Sequence, residues 1–225
     1  MLETRTSTFR GHEFKFVCDP TNHASWWCYD DERGWRDGHF DVREGDVVVD
    51  VGAAFGSYVM PALAAGAKFV VAITPEDFLP WLNQSLDAND WRKKCLVLDE
   101  GVWEEEGFLH ALENEHMPVF FKENPWKKGE KPRAGFPVST IDKRILSLEQ
   151  VDWIKIDVEG AEIEVLRGAR DSIAKFRPKI MIEHHLFKDK QIEEKCKDLM
   201  KSMGYAETAR EPYHAVSHGL YLPSS

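Results

Sequence analysis

The 225-residue sequence lacks the features of disulfide-rich, zinc-binding and nucleic-acid-binding proteins. Its few cysteines are dispersed, and no two of them form a Cys-x-x-Cys pair: Cys18, Cys28, Cys95 and Cys196. This spacing argues against a cysteine zinc cage or a disulfide framework, and it fits a reducing cytoplasm. The formal net charge of −10 argues against a nucleic-acid partner, because affinity for phosphates depends mainly on clustered lysine and arginine.

Long hydrophobic runs are also absent. The longest apolar region, residues 58–73, is interrupted by Pro61, Gly66 and Lys68 and is too short to span a membrane. The N-terminus carries charged residues among its first positions and has no apolar signal core. These absences predict a cytoplasmic protein without a membrane span.

Two glycine-bearing segments stand out in what remains. They are Asp50-Val-Gly-Ala-Ala-Phe-Gly-Ser57 and Lys155-Ile-Asp-Val-Glu-Gly-Ala-Glu162. Each follows an apolar run rich in β-branched residues and precedes an amphipathic stretch, which is the pattern of strand, tight turn and helix. Ligands of open α/β sheets bind at the carboxyl ends of strands, so these two turns predict a binding site.

Strand-like and helix-like segments alternate along most of the chain. This alternation predicts an α/β fold with a mostly parallel sheet, helices on both faces and antiparallel edge strands from residue 205 onward. We expect an N-terminal cap segment over 1–40 and one domain over 41–225. The polar, irregular stretch 110–135 is either a lid over the site or a solvated loop. We expect a single helix over 161–176.

The first glycine turn indicates a nucleotide-like ligand. Gly52 and Gly56 allow a sharp turn and close approach of a ligand, and the carboxylate of Asp50 is suited to an ammonium group. The spacing differs from the Gly-x-Gly-x-x-Gly fingerprint, which makes a nicotinamide dinucleotide a poorer candidate. The alternative is that both glycines only permit tight packing of strand and helix.

The turn resembles the first motif of S-adenosylmethionine-dependent methyltransferases, with Ala54 where a glycine is common. Three later segments narrow the resemblance to the FkbM-type methyltransferases: Val138–Asp142, Val151–Ala169 and Arg177–Glu183. The similarity extends from about residue 46 to 185. It implies a class I methyltransferase fold of the Rossmann-like type, with S-adenosylmethionine as cofactor.

The resemblance also implies a set of cofactor contacts. Where the family generally has glutamate at the end of the second strand, this chain has Thr74, and Glu76 is an alternative contact for the ribose. The predicted cofactor-binding residues are Asp50, Gly52, Phe55, Gly56, Ser57, Thr74, Glu76, Asp99 and Glu100.

The resemblance implies O-methylation, for which Asp157, Glu183 and His185 are the predicted catalytic residues. Each comes at or near the end of a predicted strand, and a carboxylate or an imidazole can remove the proton of an acceptor hydroxyl. Glu159 and Glu162 can both stabilise a helix N-terminus, and we interpret Glu162 in this way. We interpret His184 as a structural histidine. The three catalytic residues are also suitable ligands for a divalent metal, but they come from separate strands, so a metal is not favoured.

We therefore expect an O-methyltransferase that acts on a hydroxyl of a small molecule, sugar or glycolipid. The rival hypothesis is a non-catalytic binding protein on the same fold, suggested by Thr74 in the place of the family glutamate. A nicotinamide-dependent oxidoreductase is disfavoured by the glycine spacing. The sequence does not indicate the oligomeric state.

Overall fold

The computed structural model describes residues 2–31, 33–75, 78–111, 120–121 and 135–224. Most of the predicted lid, 110–135, and the predicted contact Glu76 lie outside the described residues. The N-terminal half contains β1 (Glu3–Phe9), β2 (His12–Cys18), α1 (Ala24–Asp31), α2 (Arg33–His39), β3 (Val47–Val51), α3 (Val59–Ala64), β4 (Phe69–Ile73), α4 (Leu79–Ala88), β5 (Cys95–Leu98), β6 (Gly101–Val102) and β7 (Gly107–Ala111).

The second half continues with β8 (Phe120–Phe121), β9 (Phe136–Ser139), α5 (Ile141–Ile145), β10 (Trp153–Ile156), α6 (Glu162–Arg167), α7 (Arg170–Phe176), β11 (Lys179–His185), α8 (Ile192–Ser202), β12 (Tyr205–Tyr213) and β13 (Val216–Pro223). Among the described helices, none has the length and apolar character needed to cross a membrane.

The main sheet has the strand order β12-β13-β11-β10-β3-β4-β5. β10, β3, β4 and β5 run parallel, whereas β12 and β13 form an antiparallel pair. All five residues of β3 are buried, as expected of a central parallel strand covered on both faces. The predicted α/β fold with a mostly parallel sheet and an antiparallel edge is confirmed.

The chain forms two compact units. The first comprises Met1–Asp99, Gln150–Ile156 and Pro178–Met181, and the second comprises Glu100–Glu149, Asp157–Arg177 and Ile182–Ser225. The first unit contains the parallel strands β10, β3, β4 and β5, and the second contains the antiparallel pair β12–β13 and the small sheet β6-β9-β7-β8. The predicted division at residue 40 stays a prediction.

The N-terminal segment contains a β-hairpin that the sequence did not predict. β1 and β2 pair antiparallel around Arg10 and Gly11, which both have positive φ angles of 48° and 85°. A two-residue turn of this kind matches the twist of a hairpin. The hairpin packs on α4 of the same unit, where Ser85 Oγ accepts a hydrogen bond from the Val17 amide at 2.9 Å.

The single helix predicted over 161–176 is wrong, because the chain breaks into α6 and α7. The Asp142 amide donates to the Gly168 carbonyl oxygen at 2.9 Å. The Asp142 carboxylate accepts from the amides of Asp171 and Ser172 at 3.1 and 2.7 Å, which caps the start of α7. Asp142, which is distant in sequence, thus stabilises the start of a second helix within 161–176, although the helical pattern of that segment is continuous.

We expect the Gly168→Ala substitution to lower the free energy of unfolding. A Cβ atom at Gly168 would lie 2.3 Å from the Trp103 carbonyl oxygen, and that backbone atom cannot rotate away. Overpacking of this kind typically costs about 1–3 kcal/mol. Urea denaturation measures the loss, with Gly107→Ala as the control because a Cβ there meets nothing within 4 Å. Equal stability of the two variants would contradict the predicted clash.

Candidate active site

The predicted cofactor turn follows β3 in the first unit. Gly52, Ala54 and Gly56 have positive φ angles of 84°, 44° and 92°, so the backbone reverses sharply over five residues. The amides of Gly52 and Ala53 both donate to the Ile73 carbonyl oxygen, at 2.9 and 3.1 Å. These bonds hold the start of the turn against the end of the neighbouring strand β4.

The N-terminal segment supports the same turn. The Tyr29 hydroxyl donates to the Phe55 carbonyl oxygen at 2.5 Å, and Arg36 Nη1 donates to the Ser57 carbonyl oxygen at 3.0 Å. The Arg36 side chain is fully buried, and its Nη2 also donates to the Tyr29 carbonyl oxygen at 2.9 Å. Residues 29 and 36 therefore fix the conformation of the turn, a role that the sequence did not indicate.

The other predicted cofactor residues of the first unit differ in their exposure. Asp50 and Thr74 are buried, and Asp50 lies beside Lys155 in the register of β3 and β10. Phe55 is buried and packs edge-on against Phe78 and Trp81. Asp99 is exposed. Asp99 is therefore the most accessible carboxylate of this set among the described residues.

Glu100, in the second unit, already has a charged partner. Its carboxylate is buried and forms a bidentate ion pair with the Arg144 guanidinium. The paired geometry satisfies both carboxylate oxygens. Glu100 therefore has less capacity than Asp99 to accept hydrogen bonds from a ligand.

The three predicted catalytic side chains converge in the second unit. One ligand atom from each of Asp157, Glu183 and His185 lies within 4.8 Å of the others. His185 Nε2 is 3.6 Å from Asp157 Oδ1 and 3.7 Å from Glu183 Oε1. The sequence could place these residues at strand ends, and the structure adds that their polar atoms meet.

Glu162 is a further member of this cluster that the sequence interpretation missed. Its side chain is fully buried, and its Oε1 accepts from His185 Nδ1–H at 2.5 Å and from the Gly160 amide at 3.1 Å. The sequence did contain a signal that Glu162 is buried, because this residue shares a helix face with the apolar Val165 and Leu166. A carboxylate on a buried face needs a partner.

Glu159 is the second missed residue. It has a positive φ of 55°, which is uncommon outside glycine, and its Oε2 lies 3.5 Å from His185 Nε2. Burial raises the pKa of Glu159 to about 7, His185 opposes that rise, and the carboxylates of Asp157, Glu183 and Glu162 add to it. Neither Glu159 nor Glu162 is confined to the helix-dipole role that the sequence suggested.

His185 lies at the centre of these carboxylates. Burial lowers its pKa, but the hydrogen bond from Nδ1–H to Glu162 and the charges of Asp157 and Glu159 outweigh burial and raise the pKa to about 9. Because an ionised carboxylate only accepts hydrogen bonds, Nδ1 carries a hydrogen and Nε2 faces the other acids.

His184 has the structural role predicted for it. The ring is fully buried, with Nδ1 at 3.1 Å from the Ser217 carbonyl oxygen and Nε2 at 3.1 Å from the Tyr221 hydroxyl. Burial lowers the pKa of His184 to about 4. Both ring nitrogens have partners, so this histidine is satisfied within the core of the second unit.

We expect the Glu162→Ala substitution to destabilise the protein strongly. It removes the acceptor of the buried His185 Nδ1–H, and breaking a buried ionic hydrogen bond typically costs about 3–5 kcal/mol. Thermal and urea unfolding measure the loss. Glu164→Ala, on the same helix but half-buried, is the matched control. Similar losses in the two variants would mean that the bond to His185 contributes little.

Comparisons with known proteins identify the family of this chain. The chain matches the family described as the Methyltransferase FkbM domain over residues 50–210. No curated protein matches it. Among solved structures, it is similar to the methyltransferase FkbM from Methylobacillus flagellatus KT, with 20% identity and a TM-score of 0.61 over 84% of this chain and 46% of that chain. The chain thus spans about half the length of that protein.

Two further solved structures are similar over most of their own length. The Precorrin-6y C5,15-methyltransferase from Geobacter metallireducens GS-15 has 9% identity and a TM-score of 0.53, covering 93% of this chain and 94% of that chain. The precorrin 8w decarboxylase from Methanobacterium thermoautotrophicum has 12% identity and a TM-score of 0.50, covering 81% and 83%. These likenesses confirm the predicted class I methyltransferase fold. Since the family match covers more than half of the sequence, the chain belongs to the FkbM methyltransferase domain family.

Proposed function

We propose that this chain transfers a methyl group from S-adenosylmethionine to a hydroxyl oxygen of a small molecule, sugar or glycolipid. The observation that carries the proposal is the convergence of Asp157, Glu183 and His185, which together offer proton acceptors in a half-buried setting. Family membership supports methyltransferase activity, and the choice of an oxygen acceptor rests on this cluster.

The glycine turn is the proposed site for S-adenosylmethionine. Its polar groups suit the amino-acid part of that cofactor, because Asp50 supplies a carboxylate and Gly52, with its positive φ, turns the backbone sharply after β3. An added Cβ at Gly56 would lie 2.8 Å from Leu82, so this glycine also permits tight packing. We assign further contacts to Phe55, Ser57, Thr74, Glu76, Asp99 and Glu100, with Asp99 as the principal carboxylate for the adenine or ribose edge. When bound, the cofactor supplies an electrophilic methyl group on a sulfonium.

The proposed task of the cluster is to orient the acceptor hydroxyl and accept its proton. Glu162 holds His185 Nδ1–H, so the ring cannot rotate and Nε2 stays directed toward the carboxylates. The hydroxyl proton would move to a carboxylate oxygen of Asp157 or Glu183 as the new carbon–oxygen bond forms, because the raised pKa of His185 keeps a hydrogen on Nε2 at neutral pH. Fixed orientation of the hydroxyl contributes to rate because it removes the entropy of alignment.

A non-catalytic binding protein on the same fold is the second candidate. Its support is Thr74, which is buried and whose amide donates to the Leu98 carbonyl oxygen at 3.1 Å. A threonine hydroxyl forms weaker contacts with two ribose hydroxyls than a carboxylate does. Under this alternative the Thr74→Glu variant would bind S-adenosylhomocysteine and the natural chain would not.

The experiment that tests the proposal is an acceptor screen with isotopically labelled S-adenosylmethionine. Purified protein is incubated with hydroxylated small molecules, sugars and glycolipids, and mass spectrometry locates the label. We expect label on oxygen of one acceptor class. Label on nitrogen or carbon would contradict the O-directed reaction and leave methyltransferase activity intact. None of the four cysteines, all of which lie among the described residues, forms a disulfide, which supports a cytoplasmic setting for the reaction.

A further inference from the structure

The surroundings of His185 Nε2 are unusual for a buried histidine. The side chain is 2% exposed, and three carboxylate oxygens, from Asp157, Glu159 and Glu183, lie 3.5–3.7 Å from Nε2. These distances exceed the usual hydrogen-bond range of about 2.7–3.2 Å. At these distances Nε2 has ion-pair contacts with the three carboxylate oxygens and no close hydrogen bond to those atoms. The outer ring nitrogen of a buried histidine is thus directed into a group of acids.

The spacing fits ligands arranged around an ion. Metal bonds to nitrogen and oxygen are about 2.0–2.2 Å long, so two ligand atoms lie about 3.0 Å apart at right angles and about 3.4 Å apart at the tetrahedral angle. The observed 3.5–3.7 Å separations need shifts of only a few tenths of an ångström to reach those values.

The other ring nitrogen has the partner that metal-binding histidines usually have. Nδ1–H donates to the buried carboxylate of Glu162 at 2.5 Å. A histidine that binds a metal almost always donates its second N–H to a carboxylate, a carbonyl or water, which fixes the tautomer and the ring orientation. This contact fixes the ring so that Nε2 is directed toward Asp157, Glu159 and Glu183.

The charges in the cluster also favour a cation. Four carboxylates surround His185, from Asp157, Glu159, Glu162 and Glu183. The described residues add one further histidine, His218, whose Nε2 lies 3.2 Å from Glu183 Oε2. The imidazolium of His185 offsets part of the repulsion among these carboxylates, and a divalent ion that replaces the hydrogen on Nε2 would offset more of it.

We propose that this cluster binds one divalent cation through Asp157, Glu183 and His185 Nε2, with Glu162 as a positioning residue. One imidazole and two carboxylates suit Mn²⁺ or Zn²⁺, whereas Mg²⁺ and Ca²⁺ favour sites made of oxygen alone. The sequence disfavoured a metal because the ligands come from separate strands, and their convergence removes that objection. Ion binding does not depend on the proposed function. The ion's role as a Lewis acid for the acceptor oxygen does rest on it.

The test is titration of the whole chain, freed of metal, with MnCl₂, followed by electron paramagnetic resonance of free Mn²⁺ and by displacement with ZnCl₂. We expect one saturable site. Asp157→Asn and His185→Ala should weaken Mn²⁺ binding at least about 100-fold, and Glu162→Gln about 10–100-fold, as is typical for loss of the group that orients a ligand. Glu164→Gln, a half-buried glutamate of the same helix, should bind Mn²⁺ as the natural chain does.

Two results would overturn the proposal. One is the absence of saturable Mn²⁺ or Zn²⁺ binding by natural chain that circular dichroism shows to be folded. The other is equal affinity of the natural chain and the folded Asp157→Asn variant, which would mark the ion as adventitious. No methyl donor or acceptor is present in the titration, so failure of the proposed methyl transfer would leave a demonstrated ion site unaffected.

Discussion

Asparagine in place of Asp157 should lower the turnover of methyl transfer about 10²–10⁴-fold, the range typical of losing a general acid–base group. The substitution keeps the size of the side chain and removes its charge and basicity. The affinity for S-adenosylhomocysteine should stay within about twofold, because we assign that ligand to the glycine turn. The rate of S-adenosylhomocysteine release, measured at saturating acceptor, gives the turnover.

The matched control for Asp157→Asn is Glu164→Gln, which removes a half-buried carboxylate outside the cluster. It should retain full turnover. Retention of full turnover by Asp157→Asn would contradict the assignment of the cluster to the reaction. Equal losses in both variants would point to a general effect of charge on the second unit.

The second large effect is expected for Gly52→Arg, which should weaken S-adenosylhomocysteine binding at least 100-fold, or about 2.7 kcal/mol. Gly52 has a φ of +84°, which an arginine adopts only with strain, and the added side chain would occupy the turn. Calorimetric titration measures the loss of affinity.

Gly45→Arg is the control for backbone strain. Gly45 has a similar φ of +90°, and a Cβ atom there meets nothing within 4 Å. It lies before β3 and outside the turn. We expect this variant to bind S-adenosylhomocysteine as the natural chain does. Similar binding by both arginine variants would show that the turn is not the cofactor site.

The parallel strands could be predicted closely from the sequence. The apolar runs 46–51, 68–73 and 95–98 indicate three strands, and the observed bounds of β3, β4 and β5 differ from these by at most one residue. A strand buried on both faces must be apolar throughout, so its own residues define it. The antiparallel edge formed by β12 and β13 was likewise predictable, because a turn separates two strand-like pieces.

Features that depend on distant residues could not be predicted. The break between α6 and α7 is made by Asp142, which lies 29 residues before the Asp171 amide that it accepts from. Likewise, Tyr29 and Arg36 of the N-terminal segment 1–40 support the glycine turn through the carbonyl oxygens of Phe55 and Ser57. Such contacts form only when the chain folds, and the secondary-structure propensities of the residues involved do not indicate them.

The candidate site could be predicted only in part, because one of its contacts also joins residues that are distant in sequence. Asp157, Glu183 and His185 could be found because strand ends collect polar residues with chemical roles. Glu162 was misinterpreted because an acidic residue in the first turn of a helix has an adequate local explanation in the helix dipole. Its partner His185 lies 23 residues later, and only the folded chain brings the two together.

Calorimetric titration of the natural chain with S-adenosylhomocysteine tests the central claim most directly. A methyltransferase of this family should bind the product of its cofactor with a micromolar dissociation constant, about −8 kcal/mol. NADH should not compete for the site. Absence of binding at millimolar S-adenosylhomocysteine would contradict the account, and recovery of binding in Thr74→Glu would then identify a methyltransferase fold that serves a non-catalytic purpose.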